Sequence, residues 1–120
     1  MTDKTIDLKQ LLFFISDQKE LNINLNLDEG CTFEAEDPKP LVKVINYLIN
    51  YMARLTGQTI EISLDLLPEQ FRLSILVYTT AETLPEISNN LQHALDMYRA
   101  VLQIHHEKGR YVKISVLFTK

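Results

Sequence analysis

Residues 37–57 read DPKPLVKVINYLINYMARLTG. Leu41, Val44, Ile45, Leu48, Met52 and Leu55 recur at helical spacing and form a wide apolar stripe. The stretch therefore predicts a helix over 37–57. Pro38 and Pro40 fit only in its first turn, where backbone N–H groups have no partner. Gly57 suits its end, because glycine enters the left-handed conformation without strain. Lys39, Lys43, Asn46, Asn50 and Arg54 line a second, narrow stripe, and Tyr47 and Tyr51 lie beside it as i,i+4 neighbours. The stripe either faces a ligand or is an ordinary solvated face. The tyrosine pair either packs at the core edge or anchors an interface.

Working outward, 8–19 predicts a helix on the spacing of Leu8, Leu11, Leu12 and Ile15. Asp7 can cap it, and Gln10 stands at the capping-box position. Residues 21–27, LNINLNL, alternate strictly and predict a half-buried strand. Asp28-Glu29-Gly30 is turn chemistry, so a short strand over 31–35 is expected to fold back as a hairpin. Residues 59–66 and 71–80 predict two strands joined by a turn. Thr83 and Glu86 match a reciprocal cap, and Leu84, Ile87, Leu91, Leu95, Tyr98 and Leu102 keep helical period, so a last helix is expected from Thr83 to Gly109. A final strand follows over 110–119. The expected class is α+β: a two-layer sandwich with a mixed or antiparallel sheet covered on one face by three helices. A ferredoxin-like order is the alternative, because from Leu21 on, ignoring the hairpin, the elements run strand-helix-strand-strand-helix-strand.

The chain has 120 residues, enough for one domain with its own core. Its 46% hydrophobic and 23% charged residues are ordinary for a globular protein. The longest aliphatic and aromatic run, LLFFI at 11–15, is far short of a membrane span, and MTDKTIDLKQ leads into no signal-like stretch. A cytoplasmic location and no membrane partner are expected. Net charge is −4, with acids concentrated in the first third and no basic stripe, which argues against nucleic acid. Cys31 is the only cysteine, so an internal disulfide and a cysteine-pair zinc site are excluded.

Over residues 6–65 the chain resembles the ATP-binding domain of sensor histidine kinases and the wider GHKL ATPases. Ile6-Asp7-Leu8 matches the family's entry to a helix. Asp37 precedes the long helix, and Asn46, Leu48, Ile49 and Asn50 fall at or near the positions of an N-L-I-x-N-A pattern. The resemblance aligns Asn50 with the asparagine that holds magnesium in active members, and QIHHEKGRYVKIS at 103–115 with a helix ending in L-H-G-G before a strand. Active members also carry an Asp-x-Gly-x-Gly box after the second central strand, then a second glycine-rich box and a lid. Here that position reads LVYTTAETLPE (76–86), with neither Asp nor Gly, and no glycine lies between Gly57 and Gly109. Only a few residues are expected between that strand and the next cap, too few for a lid. The alanine after the magnesium asparagine is Tyr51. Micromolar-to-millimolar ligands bind with about 4–8 kcal/mol, and each unpaired buried polar group costs about 1–3 kcal/mol. Losing the adenine acceptor and several phosphate donors would remove most of that affinity.

The resemblance thus implies a degenerate ATPase fold that binds no cofactor and acts as a non-catalytic, protein-binding module in bacterial signalling. Its partner face would be Lys43, Asn46, Tyr47, Asn50, Tyr51 and Arg54, left open by the missing lid. Phe13 and Phe14 widen the apolar face of the first helix and are the expected homodimer contact. No catalytic set and no metal site are expected. His93, His105 and His106 invite a phosphotransfer or a metal reading, but neither His105 nor His106 has an Asp or Glu placed to give a zinc triad of known spacing. A phosphorelay role would use His105 or His106, since His106-Glu107 is similar to the His-Glu of a phospho-accepting helix. The bland alternative is that helix-end histidines satisfy terminal carbonyls. The ferredoxin-like alternative would instead suggest a small-ligand or oligomerising regulatory domain.

Overall fold

The strongest alternating stretches build the centre of the molecule. A computed structural model describes residues 4–120. In chain order the elements are β1 (Lys4–Asp7), α1 (Leu8–Asp17), β2 (Ile23–Leu27), β3 (Thr32–Ala35), α2 (Lys39–Ala53), β4 (Ile60–Leu66), β5 (Gln70–Tyr78), α3 (Asn90–Asp96), β6 (Ala100–Glu107) and β7 (Tyr111–Thr119). Five strands form one sheet in the order β2-β4-β5-β7-β6, and β1 pairs with β3 in a separate ribbon. β2 runs parallel to β4; every other pairing is antiparallel. The expected α+β sandwich of a mixed sheet and three helices is what forms.

Period 2 sends Ile60, Ile62 and Leu64 of β4, Phe71, Leu73, Ile75 and Val77 of β5, and Val112, Ile114, Val116 and Phe118 of β7 to one face. All are buried there, in one core with Leu8, Leu12 and Ile15 of α1, the stripe of α2, and Leu91 and Leu95 of α3. The other face is mostly polar, with Leu76, Val101 and Leu117 among its apolar exceptions, and the cross-strand pair Asp65–Arg72 is bridged on it at 3.0 Å. α2 starts without a side-chain cap on Pro38, and Pro40 does sit in its first turn.

Three expectations are corrected. The hairpin does not form: β3 pairs with β1, in the register Ile6↔Phe33, and not with β2. Asp28 explains the split. Its N–H donates to Leu64 O and its carboxylate accepts from Leu66 N, which extends β2 along β4. Gly30, at φ 88, then turns the chain out of the sheet.

The helix expected from Thr83 to Gly109 shrinks to α3. Thr83 and Glu86 are exposed residues of an irregular connection, 79–89, longer than the few residues expected. Asn89 is the N-cap of α3 and makes no side-chain cap bond; just ahead of it the Ser88 Oγ accepts from Asn90 N at 3.2 Å. Arg99, at φ 54, stops α3, and Ala100–Glu107 becomes a strand paired with β7 around Gly109, at φ 75. Pairing with β7 outweighs the helical spacing of Tyr98 and Leu102.

The ferredoxin-like alternative does not hold. Its split βαβ unit needs a strand between the two parallel strands, and β2 and β4 are direct neighbours, with β2 at the sheet edge.

Candidate functional site

The face of α2 singled out by the sequence lies against the connection 79–89. Residues 47 and 51 are one turn apart, so their side chains leave α2 side by side. Their rings lie 6.4 Å apart at 21°. The Tyr51 hydroxyl donates to Pro85 O at 2.7 Å, and the Tyr47 hydroxyl accepts from Ser88 N at 3.0 Å. Two phenols from one helix thus pin one strap. Tyr51 is 2% exposed, and burial pushes its phenol above the ordinary value; Tyr47 adds to that, and the neighbouring Arg54 opposes it. The Arg54 guanidinium lies 5.5 Å from the Tyr51 ring centre.

The rest of the stripe divides. Asn46 is half-buried and donates back to Val42 O of its own helix at 3.1 Å. Asn50 is exposed and accepts from Lys19 Nζ at 3.1 Å, so its amide turns toward the end of α1. Lys39, Lys43 and Arg54 are exposed. The expectation of one open face along α2 is therefore corrected: the strap covers its tyrosine half and leaves Lys43, Asn50 and Arg54 outside. Beside the strap, Pro40, Lys43, Val44, Tyr47, Leu91 and Ala94 line an open groove of about 310 Å³ between α2 and α3.

Phe13 and Phe14 project from α1 at 49% and 59% exposure. The three histidines do not converge. His93 is exposed on α3, and His105 is exposed on β6, its ring 5.6 Å from that of Tyr111. His106 points to the opposite face of β6 and places Nε2 3.0 Å from Ala81 O. The helix end expected at these residues is a strand, so both readings that seat His105 and His106 on a helix lose that helix. Among the described residues no three metal-ligating side chains come together. Cys31 is buried, which raises its thiol above the ordinary value, with Asp28 adding to the effect.

The sequence pointed to Tyr47 and Tyr51 but not to Pro85 and Ser88, the strap atoms they hold. Ser88-Asn89-Asn90 was the available signal, a cluster of cap-forming residues inside the presumed helix.

The arrangement has clear relatives among solved structures. The catalytic domain of histidine kinase ThkA superposes with a TM-score of 0.78 at 14% identity, over 100% of this chain and 98% of that one. The fold is that of histidine-kinase catalytic domains. The histidine kinase domain of the E. coli osmosensor EnvZ gives 0.76 at 13% identity, over 99% and 89%. The mycobacterial sensor histidine kinase MprB gives 0.78 at 9%, over 98% and 97%. No protein-family model matches the chain, and no curated protein matches its sequence. Also among the described residues, no helix is long and apolar enough to cross a membrane.

Proposed function

We propose that this chain is a non-catalytic interaction module of a bacterial signalling system, built on the histidine-kinase catalytic fold and not binding ATP. The observation that carries the reading is Tyr51. The resemblance puts a small residue at this place, directly after the asparagine aligned with the magnesium ligand. Here a phenol fills it, buried and bonded to Pro85 O. A nucleotide lying along α2 would have to lift the strap. That breaks two hydrogen bonds of about 1 kcal/mol each and re-exposes an aromatic ring for about 2–3 kcal/mol more. A millimolar ligand supplies only about 4 kcal/mol, so opening the strap would cancel it. The strap also contains no glycine that would let backbone N–H groups wrap a phosphate.

Protein contact is the function this surface supports. Lys43, Asn50 and Arg54 stay exposed at the strap's edge, and Phe13 and Phe14 offer a separate apolar surface on α1. Exposed aromatic and arginine side chains are the residue types that anchor protein interfaces. The −4 charge supports a protein rather than a nucleic acid as partner.

Isothermal titration with Mg-ATP tests the reading. No saturable heat is expected up to about 1 mM nucleotide, the weak end of ordinary affinities. Saturable micromolar binding, or phosphate transfer from ATP to the chain, would overturn it.

A further inference from the structure

The five-stranded sheet ends on β6, and its outer edge is half blocked and half free. In an antiparallel pair, alternate residues direct their N–H and C=O groups to opposite sides. Arg99 O and Glu107 O accept from Thr119 N and Arg110 N of the β7 side, so the odd-numbered residues face inward. The outward set is Ala100, Leu102, Ile104 and His106. Gln92 of α3 takes the first part of it: its Nε2 donates to Ala100 O at 3.0 Å and its Oε1 accepts from Leu102 N at 3.1 Å. One carboxamide stands there in place of a neighbouring strand. Beyond it, no described residue bonds the outward backbone groups of Ile104 or His106. Ile104 is 41% exposed and Val101 51%. An unpaired edge of this kind is a template for another strand.

We propose that this free edge pairs antiparallel with the same edge of a second copy, about a two-fold axis through His105. Ile104 of each copy then exchanges both backbone hydrogen bonds with His106 of the other, and the two sheets become continuous. The occupant follows from the length of the opening. It is bounded on one side by Gln92 and on the other by the turn at Lys108–Gly109, where φ is 75. A long extended peptide meets both stops. A second β6 carries the same two stops in reverse order, so each copy's turn ends where the other's Gln92 begins. Gln103 of each copy also comes opposite Glu107 of the other, an amide facing a carboxylate. The contact is small, which places the dimer in the weak class. The inference is independent of whether ATP binds.

In this pairing the two His105 residues form a non-hydrogen-bonded pair with Cα atoms about 4.5 Å apart, within disulfide range. The test is mild oxidation of the His105→Cys chain at high concentration, with Val101→Cys as control; native Cys31 is fully buried and does not compete. A covalent dimer from His105→Cys and none from Val101→Cys is the expected result. No cross-link, or equal cross-linking of the two, overturns the proposal. Sedimentation gives a second reading without the cysteine. Ile104→Pro removes an outward N–H at an edge position that tolerates proline, and should convert dimer to folded monomer. Phe13→Ser with Phe14→Ser should leave the dimer intact. A wild-type chain that stays monomeric at high concentration, or a dimer lost only in the phenylalanine variant, would sink the edge pairing.

Discussion

The Tyr98 hydroxyl donates to the Asp37 carbonyl at 2.6 Å, and the same oxygen accepts from Leu41 N at 3.1 Å. Pro38 gives α2 no side-chain cap; Asp37 Oδ1 accepts from Lys39 N at 3.0 Å, and Tyr98, just past α3, serves Leu41 N two residues on. Tyr98→Phe keeps the ring against Phe33, whose centroid is 6.1 Å away, and removes only the hydroxyl. The expected loss is about 1–3 kcal/mol in urea unfolding, the range for a buried group left unpaired. An unchanged midpoint would show that the α2 terminus needs no such bond.

Tyr51 separates strap tethering from packing. Tyr51→Phe deletes the bond to Pro85 and should cost about 1 kcal/mol. Tyr51→Ala should cost about 3–5 kcal/mol, because it also empties a buried site. Amide exchange in 79–89 should rise in both variants, more in the second. Strap protection equal to wild type in Tyr51→Ala would show that other contacts hold the segment.

Phe13 and Phe14 are surface residues in the isolated chain. Their joint replacement by serine should change stability by about 1 kcal/mol or less, as expected away from the core, and should weaken retention on a hydrophobic column. A loss of several kcal/mol in urea would mean that the rings pack against the domain.

Burial pushes the phenols of both Tyr51 and Tyr98 above the ordinary value of 10.0. Above pH 10 the unfolded chain releases protons that the folded chain keeps, so stability falls with rising pH. The tyrosine contribution is complete below pH 10 and is lost as pH climbs through the raised folded values. Urea midpoints measured from pH 8 to beyond pH 10 should decline late in the series. The decline should be shallower in a Tyr51→Phe, Tyr98→Phe double variant; an equal slope would place the alkaline sensitivity elsewhere.

Much of this fold is legible where one period dominates. The α2 stripe and the alternation of β4, β5 and β7 are each buried as their spacing implies, and Asp7 does cap α1, accepting from Lys9 N and Gln10 N. The misreadings fall where two periods coexist. Leu91 and Leu95 belong to a helix, but Tyr98 and Leu102 continue their spacing by coincidence, while Ala100, Leu102, Ile104 and His106 alternate as a strand. Local pattern could not choose between them, because the choice rests on pairing with β7. β1 and the partner of β3 were hidden for the same reason: short strands take identity from what they pair with. At the site, the tyrosines were visible as an i,i+4 pair, whereas their strap acceptor and donor are backbone groups, which carry no side-chain signature.

β2, at the edge of the sheet, reaches its neighbour β4 in parallel and across the whole of α2. The β4–β5 and β6–β7 pairs close over short turns, but β2 cannot find its register until the crossover helix is laid down. Refolding should therefore run from the antiparallel centre outward, with β2 the last strand to dock and its amides the last to resist pulsed exchange.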